Sequence, residues 1–147
     1  TLSKHINPGH IVQGTAFDRK WLVANGLKEA VFKNLKLTNN KRLGAVLNHL
    51  SPTRATWNGC NSSAWKKDIL AVNGFDERMQ YGAEDREFGE RLTNNGIRGI
   101  KIRYSAVCVH LDHTRDYLNK EVLKKNQEIR RNTKQTKSKW TAFGVSR

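Results

Sequence analysis

From residue 65 to residue 72 the apolar positions Trp65, Ile69 and Val72 recur at i, i+4 and i+7, which places all three on one face of a helix. Ser62 or Ser63 can cap that helix and Asn73-Gly74 supplies a left-handed stop. A second helix is predicted over Glu84 to Asn94, with Phe88 and Leu92 as its apolar pair, Glu87 placed to meet Arg91, and Asn95-Gly96 ending it. Between Asp18 and Leu37, Trp21, Leu22, Val23, Leu27, Val31, Phe32 and Leu35 fall mostly at helical spacings, broken near Asn25-Gly26. Near the start, Asn7-Pro8-Gly9 is a turn signal followed by an apolar run short enough for a strand. The stretch from Leu37 to Ser63 is richer in turn formers and reads as a surface connection that re-enters the fold at Trp57. "IKIRY", residues 100–104, alternates as a half-buried strand, and "AVCVHL", residues 106–111, continues as a more buried one. From Asn119 to Lys139 a polar, basic stretch with Val122, Leu123 and Ile129 reads as a surface helix fraying into a tail. Strands and helices together predict an α/β or α+β class.

Composition narrows this further. A chain of 147 residues with 37% hydrophobic content and four Trp can bury a real core, so one compact domain is expected. There is no eighteen-residue apolar run and no charged-then-apolar leader, and a soluble, intracellular chain is the expectation. Cys60 and Cys108 stand far apart without a CxxC, which predicts two buried small hydrophobes rather than a disulfide framework or a zinc site. The first residue is Thr, which suggests a piece of something longer. The net charge of +14 is uneven: residues 1–50 carry eight Lys/Arg against two acids, 51–119 ten against nine, and 120–147 nine against two. Such basic ends suit nucleic acid, anionic lipid or phosphorylated substrates, and equally a solvated face.

Six of the thirteen acids fall between Asp76 and Glu90. Glu84 and Asp85 would sit in the first turn of the second helix, where the macrodipole and free N–H groups stabilise negative charge. That alone explains them structurally. A carboxylate so presented, after a glycine that permits a sharp turn, also suits a general base. Further on, "VHLDH" places His110, Asp112 and His113 at the end of a predicted strand, and neutral imidazole is a common ligand for divalent metals. Residues three apart on a strand face opposite sides, so one regular strand offers one of the two histidines to an ion and the other to packing.

Trp57 to His113, "WNGCNSSAWKKDILAVNGFDERMQYGAEDREFGERLTNNGIRGIKIRYSAVCVHLDH", resembles the second half of family 2 glycosyltransferases of the GT-A fold. It is similar in particular to bacterial enzymes of lipooligosaccharide and capsule assembly, and more distantly to the carboxy-terminal part of β-1,4-galactosyltransferases. The resemblance runs through a Gly-Cys-Asn-Ser segment, an Asn-Gly-Phe-Asp turn, a Gly-x-Glu-Asp pair and a closing His-Leu-x-His. It implies a mixed sheet with flanking helices, the acceptor-side C-terminal part of a Rossmann-like GT-A domain over residues 1–118, followed by a basic helix or tail over 119–147. It implies Asp85 as catalytic base, Glu84 bonded to the acceptor sugar, and Tyr81, Gly82 and Asn61 lining the acceptor. His113 would complete a Mn2+ or Mg2+ site, with His110 as the alternative. The family usually has Gly-Gly before Glu-Asp, where this chain has Gly82-Ala83. The implied partners are a nucleotide-sugar donor of the UDP type and a saccharide or glycolipid acceptor. The implied location is the cytoplasm, with peripheral contact at the inner face of the cell membrane through the basic ends.

The D-x-D pair that binds metal and sugar nucleotide in such enzymes is absent from the chain, and residues 1–56 are too few for a complete nucleotide-binding half. A portion starting just after that pair, binding sugar nucleotide weakly or not at all by itself, is therefore expected. Two rivals belong to other classes. A basic nucleic-acid module would use the Lys/Arg-rich ends, but the chain lacks the interleaved aromatics of single-strand binders and any helix-turn-helix or zinc-finger spacing. A noncatalytic carbohydrate-binding protein would retain the same residues.

Overall fold

The computed structural model describes residues 2–28, 34–108 and 119–146. Among them the regular elements are helices: α1 (Pro8–Val12), α2 (Arg19–Ala24), α3 (Lys41–Leu50), α4 (Lys66–Ala71), α5 (Glu84–Asn94) and α6 (Lys120–Thr136), with 3-10 turns at Leu2–His5, Thr15–Phe17 and Leu35–Leu37. The expected α/β architecture, a Rossmann-like mixed sheet, is thereby corrected: no strand occurs among the described residues. "IKIRY" runs instead into a turn, in which the Ser105 and Ala106 amides both donate to the Ile102 carbonyl at 2.9 and 2.8 Å. The Tyr104 amide donates to Asn48 Oδ1 at 2.9 Å. Alternation provides an apolar face, but a strand also needs a neighbouring backbone for its ladder. Here a local turn and one side chain of α3 take those bonds, and Ile100 is left 83% exposed. Residues 109–111 of the second predicted strand lie outside the described residues.

The chain divides into two compact units, residues 1–53 with 101–114 and residues 54–100 with 115–147. In the first, Asn-Pro-Gly proves to be a helix start. Asn7 caps α1 by accepting from the His10 amide at 3.0 Å, and Pro8 takes the first helical position, where a missing N–H costs nothing. Asp18 caps α2 through the Trp21 amide at 2.8 Å, and the predicted break follows at Asn25 and Gly26. Helix α3 occupies residues expected to form a surface connection. Asn40 caps it through the Leu43 amide at 3.1 Å. Its Gly44 lies so close to residue 104 that a Cβ would stand 2.6 Å from the Tyr104 carbonyl oxygen.

The second unit has its core in Val72, Phe88 and Leu92, with Trp57, Ile69 and Ile97 packed against them. Trp57 meets Phe88 edge-on at 4.8 Å between ring centroids, and Phe75 stacks on Phe88 at 4.4 Å. The cap of α4 is Trp65 rather than Ser62 or Ser63. Ser62 instead closes the preceding turn, donating to the Asn58 carbonyl at 2.7 Å and accepting from the Asn58 amide at 2.8 Å. Helix α5 covers the predicted residues, and its Glu87–Arg91 pair is fully buried. Thr133 also donates to Glu87 at 2.8 Å, and Arg91 donates to the Val72 carbonyl. Multiple partners of this kind are what make two buried charges tolerable.

Helix α6 packs along α5 with Asn126 and Thr133 buried. The residues after it return to the Asn-Gly-Phe-Asp turn, where Asn73 and Gly74 are both left-handed at φ 64° and 70°. The Asn73 side-chain Nδ2 donates to the Thr141 and Ser146 carbonyls, both at 2.8 Å, and its Oδ1 accepts from the Ser146 amide at 2.7 Å. Burial disfavours the charge on Asp76, but hydrogen bonds from Arg78 and Thr141 outweigh that and hold its carboxyl below the usual carboxylate range. Arg78 in turn lies over the Phe143 ring at 3.8 Å. Residues 141–146 thus form a strap over the turn.

Candidate functional site

The chain enters α5 through two consecutive left-handed residues, Gly82 at φ 107° and Ala83 at φ 71°. Ala83 is the N-cap and has no side-chain oxygen to offer the free N–H groups. Carboxylates of the first turn face the backbone instead. Asp85 Oδ1 accepts from the Arg86 amide at 2.7 Å and Oδ2 from the Gly59 amide at 3.2 Å. Glu84 folds back onto the Gly82 amide. Asp85 is therefore oriented from two separate segments, its own helix and the 58–61 turn. Each of its oxygens spends one of two acceptor positions, which leaves capacity for a proton or a hydroxyl.

Of the residues predicted from sequence, this arrangement gathers five. Glu84, Asp85, Gly82 and Tyr81 form one loop and helix start, with Tyr81 42% exposed. Asn61 ends the turn that reaches Asp85, its amide donating to the Asn58 carbonyl at 3.0 Å. Three of the other four acids of the dense segment are in ion pairs. Asp76 is held by Arg78, Glu87 by Arg91, and Glu90 by Arg130 at 2.8 Å. His110 and His113 lie outside the described residues. Among the described residues no three His, Cys, Asp or Glu side chains converge on a possible metal position, so these residues do not by themselves fit an ion. The two cysteines are exposed rather than buried.

A family model for the N-terminal domain of galactosyltransferase matches residues 42–115, half of the chain. The chain belongs to that family. Comparisons with curated proteins and with solved structures found no match. The match makes this a galactosyltransferase-related domain, although its description names an N-terminal domain where the motif resemblance pointed to a carboxy-terminal one. The matched span includes Asn61, Tyr81, Gly82, Glu84 and Asp85 as well as both histidines.

Sequence reasoning missed what holds the site of this galactosyltransferase-family domain from behind. Asn126 of α6 is wholly buried, and its side-chain nitrogen donates toward three successive carbonyls, those of Gln80, Tyr81 and Gly82, at 3.0, 3.4 and 2.8 Å. Leu123, a turn earlier, fills the space a side chain at Gly82 would need: a Cβ there would lie 2.2 Å from Leu123 Cδ2. The available signal was the line Val122, Asn126, Ile129, Thr133 at helical spacing, half of it polar.

Proposed function

We propose that this chain forms the acceptor side of an inverting glycosyltransferase, with Asp85 as the general base. The observation that carries the reading is the Asp85 carboxylate, fixed by the Gly59 and Arg86 amides at the start of α5 within the family-matched span. In the reaction, Asp85 takes the proton of an acceptor hydroxyl as that oxygen bonds to the anomeric carbon. The bond from that carbon to the nucleoside diphosphate breaks, and the leaving phosphate departs with the electron pair. Glu84, Tyr81, Gly82 and Asn61 are assigned to the acceptor sugar. The donor is a UDP-sugar. His113, with His110 as alternative, is the side chain this chain would offer to Mn2+ or Mg2+, and the proton transfer from the acceptor does not pass through that ion.

The exposed Lys124, Lys125, Arg131 and Lys134 of α6 give a basic surface suited to an anionic membrane at the cytoplasmic side, where glycolipid acceptors are presented. No helix of the described residues is long and apolar enough to cross a membrane.

The test is turnover in the protein that carries this chain, followed as UDP release from UDP-galactose with a panel of saccharide acceptors. Asp85→Asn is expected to lower kcat by ~10²–10⁴-fold with little change in donor KM. His113→Ala is expected to raise the Mn2+ concentration needed. Near wild-type turnover in Asp85→Asn refutes the base assignment, and loss in Glu84→Gln alone reverses the roles of the two carboxylates.

A further inference from the structure

We infer that Asn126 is a positioning residue of this site, its side-chain amide setting the shape of the loop that presents Glu84 and Asp85; the inference rests on the acceptor-side reading of that loop. Successive carbonyls of an extended chain point to alternate sides. Three in a row directed at one nitrogen describe a chain curled around it, and residues 80–82 do this around Asn126 Nδ2. The curl leads directly into left-handed Gly82 and Ala83, and the Gly82 amide is the group that Glu84 grips. Movement of the curl therefore reaches Glu84 first and Asp85 through the helix start.

Packing alone does not explain an asparagine here. Asn is a poor former of helix interiors, and its Oδ1 is buried with no hydrogen-bond partner among the described residues. An apolar side chain of similar size would avoid both penalties while filling the same space. What it could not do is donate two hydrogens to the loop, and neither could a carboxylate. Thr133, the other buried polar residue of α6, provides the contrast, because its hydroxyl serves Glu87 in the core.

Hydrogen exchange and kinetics together test this. Asn126→Asp keeps the size but turns an acceptor toward three carbonyls, and Asn126→Leu removes the donor without adding charge. Both are expected to speed amide exchange over residues 82–86 at least tenfold in the isolated chain. Thr133→Val, chosen as a control for loosening of α6 in general, leaves exchange there near wild type. In the protein that carries the chain, with UDP-galactose as donor, both Asn126 variants are expected to lower kcat over acceptor KM at least tenfold with donor KM within twofold. Unchanged exchange over 82–86 in both Asn126 variants overturns the inference, as does a Thr133→Val profile indistinguishable from theirs. If Asp85→Asn is fully active the base assignment fails, while the exchange data still decide whether Asn126 shapes the loop.

Discussion

Gly82 and Ala83 share a left-handed backbone but respond in opposite directions to exchange. At φ 71° the Cβ of Ala83 crowds its neighbouring carbonyl, a strain of about 1–2 kcal/mol for an L-residue. Ala83→Gly removes it, while the greater freedom of glycine in the unfolded chain offsets about 0.4–1 kcal/mol. Glycine is also the better residue at an N-cap, which Ala83 occupies. The net expectation is stabilisation by ~1 kcal/mol. Gly82→Ala runs the other way. Strain at φ 107° costs about 1–3 kcal/mol for a residue with a Cβ. Displacing Leu123, whose Cδ2 would lie 2.2 Å from that Cβ, adds about 0.5–1.5 kcal/mol, for a loss of ~2–3 kcal/mol after the unfolded-state gain. Urea unfolding followed by tryptophan fluorescence reads both, with Trp57 packed on Phe88 as a reporter. At a slope of about 2 kcal/mol per molar urea the midpoint rises by ~0.5 M for Ala83→Gly and falls by more than ~1 M for Gly82→Ala. A lowered midpoint in Ala83→Gly refutes the reasoning. Adding Leu123→Ala to Gly82→Ala should restore only the share due to the clash.

Other perturbations have equally definite outcomes. Gly144→Ala would set a Cβ 1.7 Å from the Asn73 carbonyl oxygen, backbone that cannot rotate away, and thermal melting should show a loss of about 3 kcal/mol or more. Glu87→Gln strands a buried guanidinium and should cost about 3–5 kcal/mol, whereas Glu87→Leu with Arg91→Met should cost much less. Because the folded pKa of Asp76 is depressed, its contribution to stability is complete above the unfolded value of about 3.9 and declines as pH falls through the folded one. Asp76→Asn should flatten that acid slope in urea titrations between about pH 5 and pH 2, and an unaltered slope would show that Asp76 is not a source of it.

Helix α5 was legible because several signals coincided in one short segment: the Phe88 and Leu92 stripe, the Glu87–Arg91 spacing and the Asn95-Gly96 stop. Helix α3 carried its signal too, with Leu43, Val46, Leu47 and Leu50 on one face behind Asn40, but flanking turn formers concealed it. The predicted strand at 100–104 failed for want of a partner, which no local pattern records. The packing of α6 was illegible for a different reason, since its buried positions Asn126 and Thr133 are held by hydrogen bonds that a hydrophobicity pattern does not register. At the site, the density of acids was the visible feature. Half of those six acids belong to ion pairs of the core and its flank, and the loop geometry of Gly82 and Ala83 is what sets Glu84 and Asp85 apart.

The strap over the Asn-Gly-Phe-Asp turn dictates an order of assembly. Its bonds join positions 65 to 73 residues apart in the chain. On a ribosome, Asn73 and Asp76 emerge long before Thr141 and Ser146, so until then the turn must stay open with its polar groups on water. Such distant pairing slows folding and lengthens the exposure of apolar surface. Helix α5, which bears Asp85, sits between the two ends of this clasp in sequence. A nascent chain paused before residue 141 would hold the Asn-Gly-Phe-Asp turn without its strap, Asp76 lacking the Thr141 hydroxyl and the Asn73 side chain lacking the carbonyls it binds.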